Sequence, residues 1–209
     1  MAPNLNLKKA GEVLKSGGVI MHATETCYGL AADIFNPRAV KKIYRIKKMP
    51  AGKPVSIMVR GIVEALKYAE FNPAALRLAK EYWPGPLTLV LPRKKSLPGF
   101  LNKNHFTVGI RCPDSKIAQA LVRANGGPLI TTSANISGKN EVYEVEDYLA
   151  QIKGRRTGNR PDLIIDSGPI GKNPPSTIIG FEDGSIKMMR EGSLWVKILN
   201  KYVRKADRA

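Results

Sequence analysis

The segment Pro128-Leu129-Ile130-Thr131-Thr132-Ser133-Ala134-Asn135-Ile136-Ser137-Gly138 narrows the folds open to this chain more than any other. Gly126-Gly127 precede it, and its first half is a short apolar run, the pattern of a buried strand. Its second half crowds four hydroxyls and one amide among small side chains. Small residues let backbone N–H groups reach a ligand, while hydroxyls and an amide offer donors and acceptors along a tight arc. In sheets covered by helices, ligands gather at such strand ends. Taken alone, the same residues also describe a Ser/Asn turn bonded to its own backbone.

Three other stretches have the same character. Val19-Ile20-Met21 runs into His22-Ala23-Thr24-Glu25-Thr26-Cys27-Tyr28-Gly29-Leu30, a second strand end carrying hydroxyls. Glu25 there would orient a cation or cap a helix. Thr107-Val108-Gly109-Ile110-Arg111 alternates like a strand and ends in one arginine. Its planar fork suits a carboxylate; the plainer reading is a surface salt bridge with Asp114. Ser176-Thr177 open an apolar run, and Ile186 to Met189 lead into Arg190. Thr24, Thr26, Arg111, Ser133, Asn135, Ser176, Thr177 and Arg190 are therefore expected to converge on one basic cavity.

Helical spacing is present over Leu5–Ser16, Arg38–Lys48, Gly61–Tyr68, Pro73–Tyr82, Ser115–Ala124 and Glu141–Ile152. Further strands are expected at Val55–Val59, Leu87–Leu91 and Leu163–Asp166. Strands alternate irregularly with helices, and some adjoin in sequence. The expected fold is α+β: an α/β three-layer arrangement of a twisted mixed sheet, about seven strands, with helices on both faces. No repeat or linker interrupts the chain, so one domain over 1–209 is expected, with a basic amphipathic tail from about 194.

Charge narrows the partners. Lys and Arg number 34 against 17 acids, a net charge of +17, which implies polyanions such as nucleotides or RNA, or else a solvated basic surface. Between Asp33 and Glu64 lie eight basic residues and no acid. They lead into Met49-Pro50-Ala51-Gly52-Lys53-Pro54, a loop that cannot stay helical, where lysines can reach a phosphate. From Glu81 to Asp114 there is again no acid, and Arg93-Lys94-Lys95 form a basic cluster on a loop read as mobile, ending near Phe106. Aromatic residues are 7% and lack stacking-platform spacing, so RNA would be recognised by phosphate and shape. Two cysteines make neither a disulfide framework nor a metal set, which points to a reducing, cytoplasmic setting. Cys27 reads as a packed thiol and His22 as structural. No run is long enough to span a bilayer, and neither a Walker loop nor a dinucleotide fingerprint is present.

Taken in order, these stretches resemble the YrdC/TsaC family, the threonylcarbamoyl-AMP synthases. The resembling residues are Gly17-Gly18-Val19-Ile20 through Thr24-Glu25-Thr26-Cys27-Tyr28-Gly29-Leu30, Lys47 with Pro50 and Pro54, and Val108-Gly109-Ile110-Arg111-Cys112-Pro113. Gly127-Pro128-Leu129 through Ser133-Ala134-Asn135-Ile136-Ser137-Gly138, Ser176-Thr177 and Arg190-Glu191-Gly192 complete the set. Each motif alone is weak; the ordered set is specific. The resemblance is to the short form of the family, without the extra C-terminal domain of longer relatives.

The resemblance implies a YrdC/RibB-like fold with a concave positive cavity. It implies a nucleotidyltransferase reaction in which L-threonine, bicarbonate and ATP give threonylcarbamoyl-adenylate and pyrophosphate. The product would pass to a downstream transferase that forms threonylcarbamoyladenosine in tRNA. Carried over, Thr24, Thr26, Arg111, Ser133 and Ser176 would hold threonine. Lys47, Lys53, Thr107, Asn135 and Arg190 would hold ATP, with Lys47 and Arg111 the catalytic pair. Mg²⁺ is expected with ATP, without a dedicated protein site. Two positions depart from the family pattern: Met49 stands where arginine is usual, and Met58 where many members have histidine. Lys53 would supply the missing cation. A YciO-like branch also departs in this loop, which leaves open a double-stranded RNA or tRNA-binding protein without full synthase activity. Carbamoyl-adenylate chemistry, as in hydrogenase-maturation carbamoyltransferases, would need domains that the chain lacks.

Overall fold

The computed structural model describes residues 6–182 and 185–203. Leu5, where the first helix was expected to begin, and residues 204–209 of the basic tail lie outside them. The strands are β1 (Val19–Ala23), β2 (Tyr28–Asp33), β3 (Ser56–Met58), β4 (Leu87–Pro92), β5 (Thr107–Arg111), β6 (Leu129–Ser133), β7 (Leu163–Ile164), β8 (Thr177–Glu182) and β9 (Ser185–Arg190). The helices are α1 (Leu7–Lys15), α2 (Pro37–Lys47), α3 (Ile62–Ala65), α4 (Pro73–Tyr82), α5 (Lys116–Asn125), α6 (Val145–Gln151) and α7 (Trp195–Ile198).

The strands form one mixed sheet in the order β7-β1-β2-β6-β3-β5-β4-β8-β9. Nine strands among the described residues replace the expected seven or so. The main difference is that residues 19–33 fold as a hairpin, β1 antiparallel to β2. Its turn is closed by the Thr24 hydroxyl, which donates to the Cys27 carbonyl at 2.7 Å. β1/β7, β3/β5 and β4/β8 are the parallel pairs.

Alternation along the strands divides the sheet into two faces. On one, Val19, Met21, Leu30, Ile57 and Ile130 belong to the large core that includes Ile43 of α2 and Leu78 of α4. On the other, Ile20, Ala31, Met58 and Leu129 pack with Leu14 of α1 and Leu121 of α5. Those two helices cover only part of that face. Two residues along from Met58, Leu129 and Arg111, the same face carries Ser56, Thr131 and Gly109, in register with one another. A β-carbon at Gly109 would strike the Ser56 hydroxyl, so the glycine keeps the floor of this uncovered region low.

Helix starts follow local chemistry. Asn36, Asn72 and Ser115 accept from first-turn N–H groups, and proline occupies the first turn of α2 and α4. Two expected helices are shorter. The one sought over Gly61–Tyr68 is helical only at Ile62–Ala65; beyond it Lys67 N and Tyr68 N bond three residues back, to the carbonyls of Glu64 (3.1 Å) and Ala65 (2.9 Å), which tightens the chain into turns. The acidic helix begins at Val145 rather than Glu141, since the Val142 carbonyl accepts from Tyr28 N at 3.0 Å.

The loop expected to be mobile is tied down. Arg93 turns inward and donates to the carbonyls of Leu101 (2.6 Å) and Pro98 (2.9 Å), with Leu97 and Asn102 also within reach. Asn102, left-handed at φ 49°, mimics a strand partner: its amide bonds the Val55 N–H and carbonyl, both at 2.9 Å. The tail folds back, with Ile198 buried and Lys201 bonded to Glu81 at 2.7 Å.

Gly192 seats the end of β9 against the entrance of β8. A β-carbon there would collide with the Pro175 carbonyl and the Thr177 N–H. Gly192→Ala is expected to lower stability by about 1–3 kcal/mol, read as a lower urea midpoint with an unchanged slope.

Candidate active site

The uncovered face of the sheet is the floor of a cavity. Of the strand-end residues expected to converge, Thr24, Thr26, Arg111, Ser133, Ser176 and Arg190 line it, whereas Thr177 is buried away from it and accepts from Leu194 N at 3.0 Å. Lys47 and Asn135 lie behind its wall, in contact with Ser133. Thr107 and Lys53 are exposed and outside the lining. Thr131 and Thr132, from the hydroxyl-rich stretch singled out in the sequence, also line the cavity, as do Thr88, Ser56 and Glu141, which sequence reasoning missed. Thr88 sits between Leu87 and Leu89, and that alternation was the available signal.

Arg111 is buried, and its Nη2 lies 2.8 Å from Glu25 Oε1 and 3.3 Å from the Thr26 hydroxyl. The alternative partner, Asp114, instead gives its backbone N–H to the same carboxylate at 3.1 Å. Glu25 therefore orients a cation. Arg111 Nε and Glu25 Oε2 are buried without a hydrogen-bond partner among the described residues; Arg111 reaches the cavity lining and Glu25 stands behind it.

Across the sheet, Arg111, Thr88, Ile178 and Arg190 stand in register. Arg190 donates to the Ser176 carbonyl through Nε (3.1 Å) and Nη2 (2.9 Å), and to the Ser176 hydroxyl at 2.9 Å. That hydroxyl lies 3.0 Å from Thr88 Oγ1. The hydrogen-bond acceptors of Arg190 are neutral oxygens; Glu141, which also lines the cavity, acts on its charge without bonding to it.

Lys47 ends α2 with its side chain turned under β6. It is 5% exposed, and its Nζ donates to the carbonyls of Ser133 (2.5 Å) and Asn135 (2.9 Å) and to Asn135 Oδ1 (3.1 Å). Ser137 N returns a bond to the Lys47 carbonyl at 2.8 Å, closing the arc. Burial pushes the Lys47 pKa down to about 8, and the Lys53 charge adds to the effect.

Cys27 and His22 are unsuited to nucleophilic or proton-transfer roles. Burial raises the Cys27 thiol to about 11, and burial lowers His22 to about 4, leaving both neutral at pH 7. Both expected departures are packed residues. Met49 lies in the large core and Met58 beneath α1 and α5, so neither faces the cavity. Among the described residues no cluster of three His, Cys, Asp or Glu could hold a metal ion. What the site offers is hydroxyls, two arginines and a buried lysine, the means to position anions rather than to attack them.

A family model named Sua5_yciO_yrdC, described as "Telomere recombination", matches residues 12–192. The chain belongs to the Sua5/YciO/YrdC family. A putative threonylcarbamoyl-AMP synthase of Methanocaldococcus jannaschii is 38% identical over 92% of this chain and 90% of that protein. Pyrococcus abyssi Sua5 complexed with L-threonine superposes with a TM-score of 0.83 at 32% identity, covering 93% of this chain and 56% of that one. The chain thus spans about half the length of that Sua5. Escherichia coli YciO superposes with a TM-score of 0.80 at 30% identity, over 93% of this chain and 95% of that one. The family likeness therefore extends to both its Sua5 and YciO branches.

The buried ammonium gives a pH signature. Folded Lys47 loses its proton near pH 8, whereas an unfolded lysine holds its proton to 10.5. Within that window the unfolded chain binds more protons, so stability rises with pH. Lys47→Met is expected to lose this rise of about 1.4 kcal/mol per pH unit. Urea titrations of both proteins across the window would test it; parallel profiles would refute the assignment.

Proposed function

We propose that this protein is a threonylcarbamoyl-AMP synthase, converting L-threonine, bicarbonate and ATP into threonylcarbamoyl-adenylate and pyrophosphate. The observation that carries the reading is a hydroxyl-lined cavity that Arg111 enters, held in place by Glu25 at 2.8 Å. Such an end suits an amino acid. Its carboxylate would meet Arg111, with Thr24, Thr26, Ser133 and Ser176 around the rest of the molecule.

The enclosed volume, about 160 Å³, falls below the several hundred Å³ of sites for drug-sized ligands. An amino acid suits it, and the nucleotide would extend over the rim. Arg190 would meet the phosphates from one side. Lys47 would act from beneath the Ser133–Asn135 arc, while Thr107 and Lys53 would close on ATP from outside. Lys53 would in this way supply the charge that Met49 does not.

Once deprotonated to the free amine, the threonine nitrogen bonds to the carbon of CO₂ and gives up a proton, or to that of bicarbonate with loss of water. The resulting carbamate oxygen bonds to the α-phosphorus, and the bond to pyrophosphate breaks. No protein nucleophile takes part, which agrees with the neutral Cys27 and His22. Positioning and cationic stabilisation supply the rate. Mg²⁺ would enter with ATP and offset triphosphate charge. The adenylate would pass, in the cytoplasm, to a transferase acting on tRNA.

The likeness to YciO and the burial of Met49 in the core favour one second reading, an RNA-binding protein that does not complete the adenylate. Labelled threonine and labelled bicarbonate, incubated with ATP and Mg²⁺, separate the two. A doubly labelled adenylate is expected; ATP binding without that product would favour the second reading. Arg111→Ala should lower kcat/KM for threonine by about one to two decades, the loss of one charge-assisted contact. Glu25→Gln should raise KM for threonine more than it lowers kcat.

A further inference from the structure

The two acid-free stretches, residues 34–63 and 82–113, fold side by side. His105 Nε2 lies 2.9 Å from the Gly52 carbonyl, and Asn102 pairs with Val55, so the 49–54 and 93–106 loops form one surface. This surface lies outside the cavity. It holds two adjoining grooves that share Lys103. The first runs between α2 and the loops, with Tyr44, Met49 and Phe100 as its apolar lining and Lys41, Arg45 and Lys103 among the cations. The second is lined by Lys94, Lys95 and Lys103 together with His105 and Phe106. No acidic residue lines either groove.

Phe106 is 91% exposed and Phe100 42% exposed. An aromatic face left so open among cations suits a partner that is planar and apolar in one part and anionic in the next. Lys41, Arg45, Lys95 and Lys103 enter no ion pair among the described residues, so their charge is free to meet it. Their spread over two continuous grooves fits a polyanion better than one phosphate. The four carbonyl contacts of Arg93 fix the loop that presents both phenylalanines, which limits the ordering cost on binding.

We infer that this outer surface binds a single-stranded segment of RNA, with bases stacked on Phe106 and Phe100 and phosphates on Lys41, Arg45, Lys95 and Lys103. A duplex keeps its bases paired and would leave the phenylalanines unused. The inference places RNA outside the catalytic cavity and does not rest on the synthase reading.

The test uses a short fluorescein-labelled oligouridylate and a duplex of equal length, with anisotropy read over a salt series. The wild-type protein should prefer the single strand. Phe106→Ala should weaken that binding about tenfold or more. Lys95→Glu with Lys103→Glu should lower the salt slope by about 1.4, the share of two phosphates. All variants should keep the wild-type melting temperature and threonine-dependent pyrophosphate release. Equal affinity for single strand and duplex, or Phe106→Ala binding like wild type, would overturn the proposal. So would the absence of RNA binding while an acidic peptide binds. Pyrophosphate release is read separately, so failure of the synthase reading is distinguishable.

Discussion

The buried ammonium of Lys47 is the contact on which the site depends. It joins the end of α2 to the end of β6, two elements far apart in sequence, and its acceptors are the carbonyls and amide that shape the Ser133–Asn135 arc. All of those acceptors are neutral. A buried cation normally needs a carboxylate, and without one its desolvation is not repaid by charge pairing. The lowered pKa of Lys47 is one sign of that imbalance. The other is chemical: an anion arriving at the arc supplies the missing counter-charge, so the same feature that costs stability favours phosphate.

The two arginines divide the cavity into unlike ends. Arg111 is matched by Glu25, so its end is nearly neutral. Arg190 is held only by neutral oxygens of Ser176 and keeps its charge. A zwitterion fits the first end and a polyanion the second. Thr88 and Ser176 link the two through one hydroxyl pair. On the synthase reading, this polarity orients carbamate toward phosphate without a covalent intermediate.

The strand-end hydroxyls were legible because short apolar runs and the polar residues that stop them are local signals. Arg111 and Ser133 needed only the expectation that strand ends meet. Glu141 was misread because its acidic neighbours suggested a helix, whereas Val142 is committed to Tyr28. The strand β2 was hidden in a longer apolar run, since a Thr-capped turn carries no glycine or proline at its corner. Arg93 was counted as surface charge, yet it is the centre around which its loop folds. The outer aromatic surface was invisible for a similar reason: Phe100 becomes a neighbour of Lys41 and Arg45 only through the fold.

The 49–54 loop and the strand after it stand between the two regions. Pro54 and Val55 line the cavity, while Met49, Ala51 and Gly52 line the outer groove. Tyr44 donates to the Lys53 carbonyl at 2.6 Å and Asn102 clamps Val55, so the segment has fixed points on both sides. This gives Met49 a physical reason to be apolar. It packs in the core while helping to line the groove, where an arginine would place a charge in an apolar interior. The loss of one cation relative to the family pattern and the gain of an apolar wall on the outer side follow from the same residue. Cavity and groove therefore share one run of backbone, anchored on one side by Tyr44 and on the other by Asn102.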